Sequence, residues 1–362
     1  MLKVLELFAG IGACSKALTN LGIEHEIVDA VEIDKYAIKS FNAIHGTNFE
    51  PQDITKWDKD IECDFILHGS PCQDFSVAGL NKGGDKGSGT RSSLMYETLR
   101  IVEKLKPKYV IWENVKNLLS KKHRHNFDAY LDAMDKLDYK SKYKVLNAKD
   151  FGVPQNRERV FTVSIRKDID KEFEFPEPMP LTIRLKDILE PEVDEKYYLS
   201  DEQTERLMTT TYNSGKEEIR VQNTDGESRT LRARDWKDPK CVRVGGLYDK
   251  PGEKHQAGSV YDPNGISGTL STMQGGNQEP IVAASRGKTI ATGDTMGTMQ
   301  DLRIRKLTPK ECWRLMGFDD SDFEKAEKVN SNSQLYKQAG NSIVVNVLMS
   351  ILNNLLGGKH ED

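Results

Sequence analysis

Short apolar runs alternate with amphipathic stretches from Met1 to about Leu199. Lys3 to Phe8, Glu26 to Glu32, Phe65 to Leu67 and Tyr109 to Trp112 are too short for helices, so they predict strands, as does the β-branched run Val160 to Ile165. Between them, stretches starting at Ala13 and Lys35, and those over Ser92 to Leu105 and Asn126 to Leu137, carry helical spacing. This alternation predicts an α/β fold, a doubly wound and mostly parallel sheet covered by helices on both faces.

From about Ser200 to Arg303 the pattern dissolves into glycine, threonine and charged residues, which suits a smaller, loop-rich domain. Leu307 to Phe318 then starts as a helix, with Thr308 as N-cap, Pro309 in the first turn and Glu311 as the capping-box partner. Ile343, Val344, Val347, Leu348, Ile351, Leu352 and Leu355 repeat at helical spacing, so the last segment should pack back on a core. We therefore expect one domain from 1–199 with 332–362, and a second over 200–331 that includes the 305–318 helix.

At 362 residues, 37% hydrophobic and 30% charged, the chain has the composition of a globular protein with a sizeable core. No apolar run approaches the roughly 20 residues that span a bilayer, and the N-terminus has no signal-type stretch. A cytoplasmic, monomeric protein without membrane attachment is expected. The five cysteines are odd in number and scattered, with no C-x-x-C pair, which argues against a disulfide framework or a zinc knuckle. His123 and His125 lie in the basic run Lys121 to His125, read as a solvated surface, and no metal is assigned.

A net charge of -4 does not announce a nucleic-acid binder, yet basic residues are gathered locally. Arg229, Arg232, Arg234, Lys237, Lys240 and Arg243 surround Trp236, while Lys82, Lys86 and Arg91 lie in or beside a glycine-rich stretch from Val77 to Thr90. Each cluster reads either as a phosphate-facing surface or as a solvated one.

The candidate chemistry centres on Gly69-Ser-Pro-Cys-Gln-Asp-Phe-Ser76, which puts the Cys72 thiol in a tight turn directly after a strand. A free cysteine is more often a small buried hydrophobe, so context decides. Glu113-Asn114-Val115 closes the run Tyr109 to Trp112, and Gln155-Asn-Arg157-Glu-Arg159 leads into Val160 to Ile165. A thiol, a carboxylate and two guanidiniums thus stand at strand ends. Leu5 to Gly12 runs from a strand through a glycine turn into a helix, a geometry that lets a nucleotide lie against the backbone. Ser15 occupies the place of the third glycine of the dinucleotide fingerprint, which speaks against a bound pyrophosphate. Glu32 and Asp53-Ile54 either meet a ribose and an adenine or are ordinary loop residues; carboxylates here suit the cationic, phosphate-free S-adenosylmethionine.

Taken in order, these blocks resemble the DNA cytosine-5 methyltransferase family of bacterial or phage type. The resemblance rests on Phe8-Ala-Gly-Ile-Gly12, Gly69-Ser-Pro-Cys-Gln73, Glu113-Asn-Val115, Gln155-Asn-Arg-Glu-Arg159, Arg305 to Phe318 and Gln338-Ala-Gly-Asn-Ser342. It implies a class I S-adenosylmethionine-dependent, Rossmann-like fold and methylation of carbon 5 of a flipped-out cytosine in double-stranded DNA. S-adenosylhomocysteine would be the product, and no metal is involved.

Cys72 would attack carbon 6 of the base, Glu113 would bind ring nitrogen 3 and the exocyclic amine, and Arg159 would hold the base carbonyl, with Arg157 either helping or supporting the turn. Cofactor contacts would come from Phe8, Gly10, Gly12, Glu32, Ile33, Asp53, Ile54, Pro71, Leu94, Asn341 and Ser342, the last two at the start of the final helix. Ile33 stands where many relatives carry an aromatic residue. DNA contacts would come from Ser76, Lys82, Lys86 and Arg91 in a glycine-rich lid, and from Arg232, Arg234, Arg243 and the Thr269-Leu270 pair in the target-recognition domain. A functional partner restriction endonuclease and a nucleoid location follow from the same resemblance.

A tRNA cytosine methyltransferase, a catalytically silent DNA-binding relative and an oxidoreductase on the same sheet are the alternatives. Pro71-Cys72-Gln73, where the RNA branch has Pro-Pro-Cys, favours DNA; intact Cys72, Glu113 and Arg159 favour catalysis; the absent third glycine disfavours the oxidoreductase.

Overall fold

The computed structural model describes residues 1–71, 91–198, 200, 202 and 302–357, together with the backbone of strands at 243–246, 259–261 and 281–285. The first half of the chain alternates as expected: β1 (Leu2–Leu7), α1 (Ala13–Asn20), β2 (His25–Val31), α2 (Lys35–His45), β3 (Phe65–His68), α3 (Met95–Leu105), β4 (Tyr109–Val115), α4 (Arg124–Lys136), β5 (Tyr139–Asn147) and β6 (Glu158–Arg166). The helix expected from Ser92 opens instead as a 3-10 turn at Arg91–Leu94 before α3.

These strands form one sheet in the order β2-β1-β3-β4-β6-β5. β1 pairs in parallel with β2 and β3, and β3 with β4, while β6 runs antiparallel to both neighbours. The order reverses between β1 and β3, so their carboxyl ends flank a switch point, the place where open α/β sheets hold ligands.

Strand alternation explains why both faces are buried. Val4, Phe65, Leu67, Ile111, Phe161 and Val163 enter one core with α1, and Leu5, Leu7, Ile66, Val110, Trp112 and Val160 enter the other with α3 and α4. β5 is an edge strand, and its Lys140, Lys142 and Lys144 pair with Glu172, Glu174 and Glu177 of the segment that runs alongside. Charge on that edge discourages pairing with another chain.

A single turn α5 (Leu185–Ile188) leads toward the second sheet, in which β7 (Arg243–Gly246), β8 (Ser259–Tyr261), β9 (Ile281–Ser285) and β10 (Leu302–Lys306) lie in the order β10-β9-β8-β7. Four helices then return: α6 (Pro309–Arg314), α7 (Asp320–Glu327), α8 (Asn332–Asn341) and α9 (Val345–Leu356). The Thr308 hydroxyl accepts from Glu311 N at 3.2 Å, and Thr308 N donates to Glu311 Oε2 at 2.8 Å, the capping box read from the sequence.

Two expectations are corrected here. The 305–318 helix and residues up to 331 were assigned to the smaller domain, but Leu307, Cys312, Trp313, Leu315, Met316, Phe318, Phe323 and Ala326 are buried in the same core as Val4 and Phe65. The apolar face of α6 packs on α7 and α8, where Trp313 Nε1 donates to Leu335 O at 3.0 Å, so this segment shares that core. Asn341-Ser342 does not open the final helix: Asn341 ends α8, and Ser342 N closes that helix on Gln338 O at 3.0 Å.

By length and composition alone, Asn332–Leu356 is apolar enough to cross a membrane, although no run of that length was expected. In the fold it is divided at Ser342–Val344, and Leu348, Ile351, Leu352 and Leu355 are buried against the core.

Candidate active site

The site is built on the carboxyl ends of β1 to β4 and the start of β6. β1 exits through Phe8, which takes a left-handed φ of 54°, followed by Gly10 at 56° and Gly12 at 81°. A Cβ at Gly10 would meet nothing within 4 Å, whereas one at Gly12 would lie 2.1 Å from His45 Nε2. Gly10 thus leaves an open cradle, and Gly12 admits α2 against the turn. The α1 N-terminus has no cap from Gly12; Glu6 on β1 supplies it, accepting from Ser15 N at 3.0 Å and from the Ser15 hydroxyl.

Glu32 follows β2, and its two oxygens accept from Gly10 N at 3.0 Å and Asp34 N at 2.7 Å. Burial raises its carboxyl above the ordinary range, against the pull of those N–H groups. Beside it, Ile33 is 70% exposed at the same strand end. Gln52 N donates to Glu32 O at 2.8 Å, which brings the next loop alongside. There the Asp53 side chain accepts from Thr55 N at 3.0 Å, and the Thr55 bonds lower its carboxyl. Ile54 is buried with Leu5, Leu7 and Trp57. A phosphate-free ligand with a ribose and a positive charge fits this donor set: an open glycine turn, a fixed carboxylate and an exposed apolar side chain.

The other half of the site comes from β4 and β6. Arg159 pairs with Val115 in register, so Glu113 is its diagonal neighbour on the same face. Arg159 Nε meets Glu113 Oε1 at 3.0 Å, with both side chains mostly buried. Glu113 Oε2 lies 3.7 Å from where a Cβ of Gly69 would stand, so the pair sits against the turn that leads to Cys72.

Over residues 2–357 the chain matches the C-5 cytosine-specific DNA methylase family. The protein belongs to that family. Among its relatives, the orphan methyltransferase M.SPBetaI of Bacillus phage SPbeta is 35% identical, with 98% of this chain and 97% of that protein covered. The type II methyltransferase M.HhaI of Haemophilus parahaemolyticus is also 35% identical, over 98% of this chain and 94% of that one. S. pombe Dnmt2 methyltransferase superposes with a TM-score of 0.62 at 19% identity, each chain covered to 98%, and Entamoeba histolytica methyltransferase EhMeth with 0.65 at 16%, again 98% of each. These two support the fold. The protein is accordingly a DNA (cytosine-5-)-methyltransferase, of a family that normally uses S-adenosylmethionine.

Several predicted site residues fall elsewhere. Cys72, Ser76, Lys82, Lys86, Arg232, Arg234, Thr269 and Leu270 lie outside the described residues, as does the glycine-rich stretch to Thr90. Arg91 begins the 3-10 turn that Leu94 ends, and Arg243 begins β7. Arg157 is buried and directs Nη2 to Ser342 O at 2.9 Å and Gly340 O at 3.3 Å. His123, expected on a solvated surface, is buried where the chain enters α4, while His125 stays exposed.

Sequence reading missed the residues beneath the strand ends. Asp29 is buried and accepts from Trp57 Nε1 at 2.7 Å and Gln52 Nε2 at 2.8 Å, with Lys59 at 2.8 Å. Ser70 stands in the Gly69 to Gln73 block with no role assigned from sequence. The one available signal was a polar residue inside an otherwise apolar strand, as with Glu6 and Asp29.

Proposed function

We propose that this enzyme methylates carbon 5 of a cytosine extruded from a specific duplex DNA sequence, through a transient bond from Cys72 to carbon 6. The observation that carries the reading is the Glu113–Arg159 pair set against the turn that enters Pro71-Cys72, in a chain of this family. Three other thiols are poor nucleophiles: Cys14 and Cys312 are buried, and burial pushes Cys63 up to about 12.

Phe8, Gly10, Glu32 and Ile33 would hold S-adenosylmethionine, with Asp53, Pro71, Leu94, Asn341 and Ser342 around it. When bound, it supplies an electrophilic methyl group on a sulfonium. Carbon 5 of a neutral pyrimidine is too electron-poor to take that methyl unaided. The Cys72 thiolate forms a bond to carbon 6, and the carbon 5–carbon 6 π pair moves to carbon 5, which becomes the nucleophile. Glu113 binds nitrogen 3 and the exocyclic amine, where charge develops, and so separates cytosine from thymine. Arg159 orients Glu113 and faces the base carbonyl. After transfer, carbon 5 loses its proton, the double bond re-forms and the Cys72 thiolate departs. We assign Arg157 a supporting role, because its Nη2 binds the carbonyls of Gly340 and Ser342.

Extruding the base costs a few kcal/mol of stacking and pairing, which DNA contacts must offset. We assign these contacts to Ser76, Lys82, Lys86 and Arg91 after the nucleophile, and to Arg232, Arg234, Arg243 and Thr269-Leu270 in the 200–303 region. The enzyme acts as a monomer on cytoplasmic DNA, and a cognate restriction endonuclease would be blocked at the sites it methylates.

Purified protein with tritiated cofactor should label duplex DNA and leave tRNA unlabelled; label confined to tRNA reverses the substrate assignment. Cys72→Ser should abolish transfer while cofactor binding persists, and DNA carrying 5-fluorocytosine should trap a covalent adduct, since carbon 5 then has no proton to lose. A fully active Cys72→Ser enzyme removes that residue from the mechanism. Bisulfite sequencing of DNA from expressing cells would give the recognised sequence.

A further inference from the structure

We infer that Ser70 is a positioning residue for the reaction, clamped by Trp112 and Asn114 so that the chain leaving β3 approaches the nucleophile on one fixed path. The inference rests on the assignment of Cys72 above. Ser70 is 3% exposed. Its hydroxyl accepts from Trp112 Nε1 at 3.0 Å and from Asn114 Nδ2 at 3.3 Å, and its carbonyl accepts from the same amide at 3.2 Å. The Asn114 amide is oriented by its other end, since Oδ1 accepts from Val115 N at 2.9 Å. Both oxygens of Ser70 are therefore gripped from the neighbouring strand.

The clamp has a rigid floor. Trp112 stacks on His68 at 5.6 Å with 6° between planes, and its ring lies 4.1 Å from that of Tyr130. His68 is fully buried, shares a 3.0 Å hydrogen bond with the Tyr130 hydroxyl, and is held neutral by burial, which pushes it down to about 3. An aromatic layer of this kind is dry and does not change charge at working pH. β4 thus serves two ends by alternation, Trp112 and Asn114 turning to Ser70 on one face and Glu113 to the base on the other.

The chemical need for a clamp follows from sequence. Ser70 stands two residues before Cys72, so a fixed Ser70 sets the approach of the thiol from its N-terminal side. Misplacement of a reacting group by about 1 Å costs on the order of 100-fold in rate.

The test compares wild type, Ser70→Ala, Trp112→Phe and the double variant in single-turnover methyl transfer, with adduct formation on 5-fluorocytosine DNA followed alongside. The Phe variant keeps an aromatic ring and removes the indole N–H together with one ring of the indole. Each single change should slow both rates by about 10- to 100-fold, with cofactor affinity and the thermal midpoint close to wild type. The double variant should be no slower than Ser70→Ala, because both changes break one interaction. The 5-fluorocytosine adduct accumulates after attack on carbon 6 and methyl transfer, with proton loss at carbon 5 blocked, so its rate reports those two steps together, a quantity that a merely structural role would not change in folded protein. Should Ser70→Ala fail to fold, Trp112→Phe decides alone. Wild-type rates in the folded variants overturn this inference and leave the Cys72 assignment standing; a wild-type protein that forms no adduct on any duplex overturns both.

Discussion

Glu6 illustrates how a single buried residue couples the cofactor turn to pH. It sits on β1 with no exposure, caps the first turn of α1 through Ser15, and is raised by burial to about 7 from 4.5. In the folded state it therefore holds a proton that the unfolded chain releases at lower pH. Its contribution to stability is full below about 4.5 and is lost as pH rises through about 7. Glu6→Gln, which is neutral at every pH, should be more stable than wild type at pH 8, by about 3 kcal/mol at about 1.4 kcal/mol per unit. At pH 4 the two should be nearly equal. Thermal midpoints at both pH values check this; an identical difference at the two would show that folding leaves the Glu6 carboxyl unshifted. Glu6 was not legible as a site residue, because in sequence it is only a polar position inside an apolar strand.

At the scale of elements, α6 is anchored by one carboxylate that does three tasks. Glu311 is fully buried; it closes the capping box, accepts from Glu190 N at 2.8 Å and binds Arg305 of β10 through 2.9 and 2.7 Å bonds. The capping box was visible in the spacing of Thr308, Pro309 and Glu311, but the ion pair was not, since nothing local tells which arginine comes back to the helix. Removing one member of a buried pair strands the other, so Glu311→Ala should cost about 3 to 5 kcal/mol. Urea unfolding measures this, and a loss below about 1 kcal/mol, the worth of an exposed pair, would show that Arg305 reaches water.

For the whole molecule, both ends of the chain close one body: α1 and α9 share a core with the large sheet, and the last turn of α8 with the residue after it supplies the carbonyls that bind Arg157. A ligand that binds only this assembled form should stabilise it. S-adenosylhomocysteine at about 100 times its Kd should add about 2.7 kcal/mol and raise the thermal midpoint accordingly. Glu32→Ala, which removes the fixed carboxylate beside Gly10, should abolish most of that shift at the same concentration. A variant that shifts as far as wild type would place the ligand elsewhere.

The sequence by itself determined the elements and the chemistry they carry. Short apolar runs and helical spacing mark β1 to β4 and α1 to α4, and the ordered blocks around Cys72, Glu113 and Arg159 name a reaction, because such signals are local in the chain. Tertiary structure alone decided which distant residues meet. Glu113 touches Arg159 because β6 returns antiparallel to β4, one diagonal step from register. Ser70 meets Trp112 and Asn114 because β3 and β4 are neighbours, and residues 307–326 join the large core because the apolar faces of their helices are covered there. Periodicity states which face of a strand is buried; only the order and direction of the strands state what covers it.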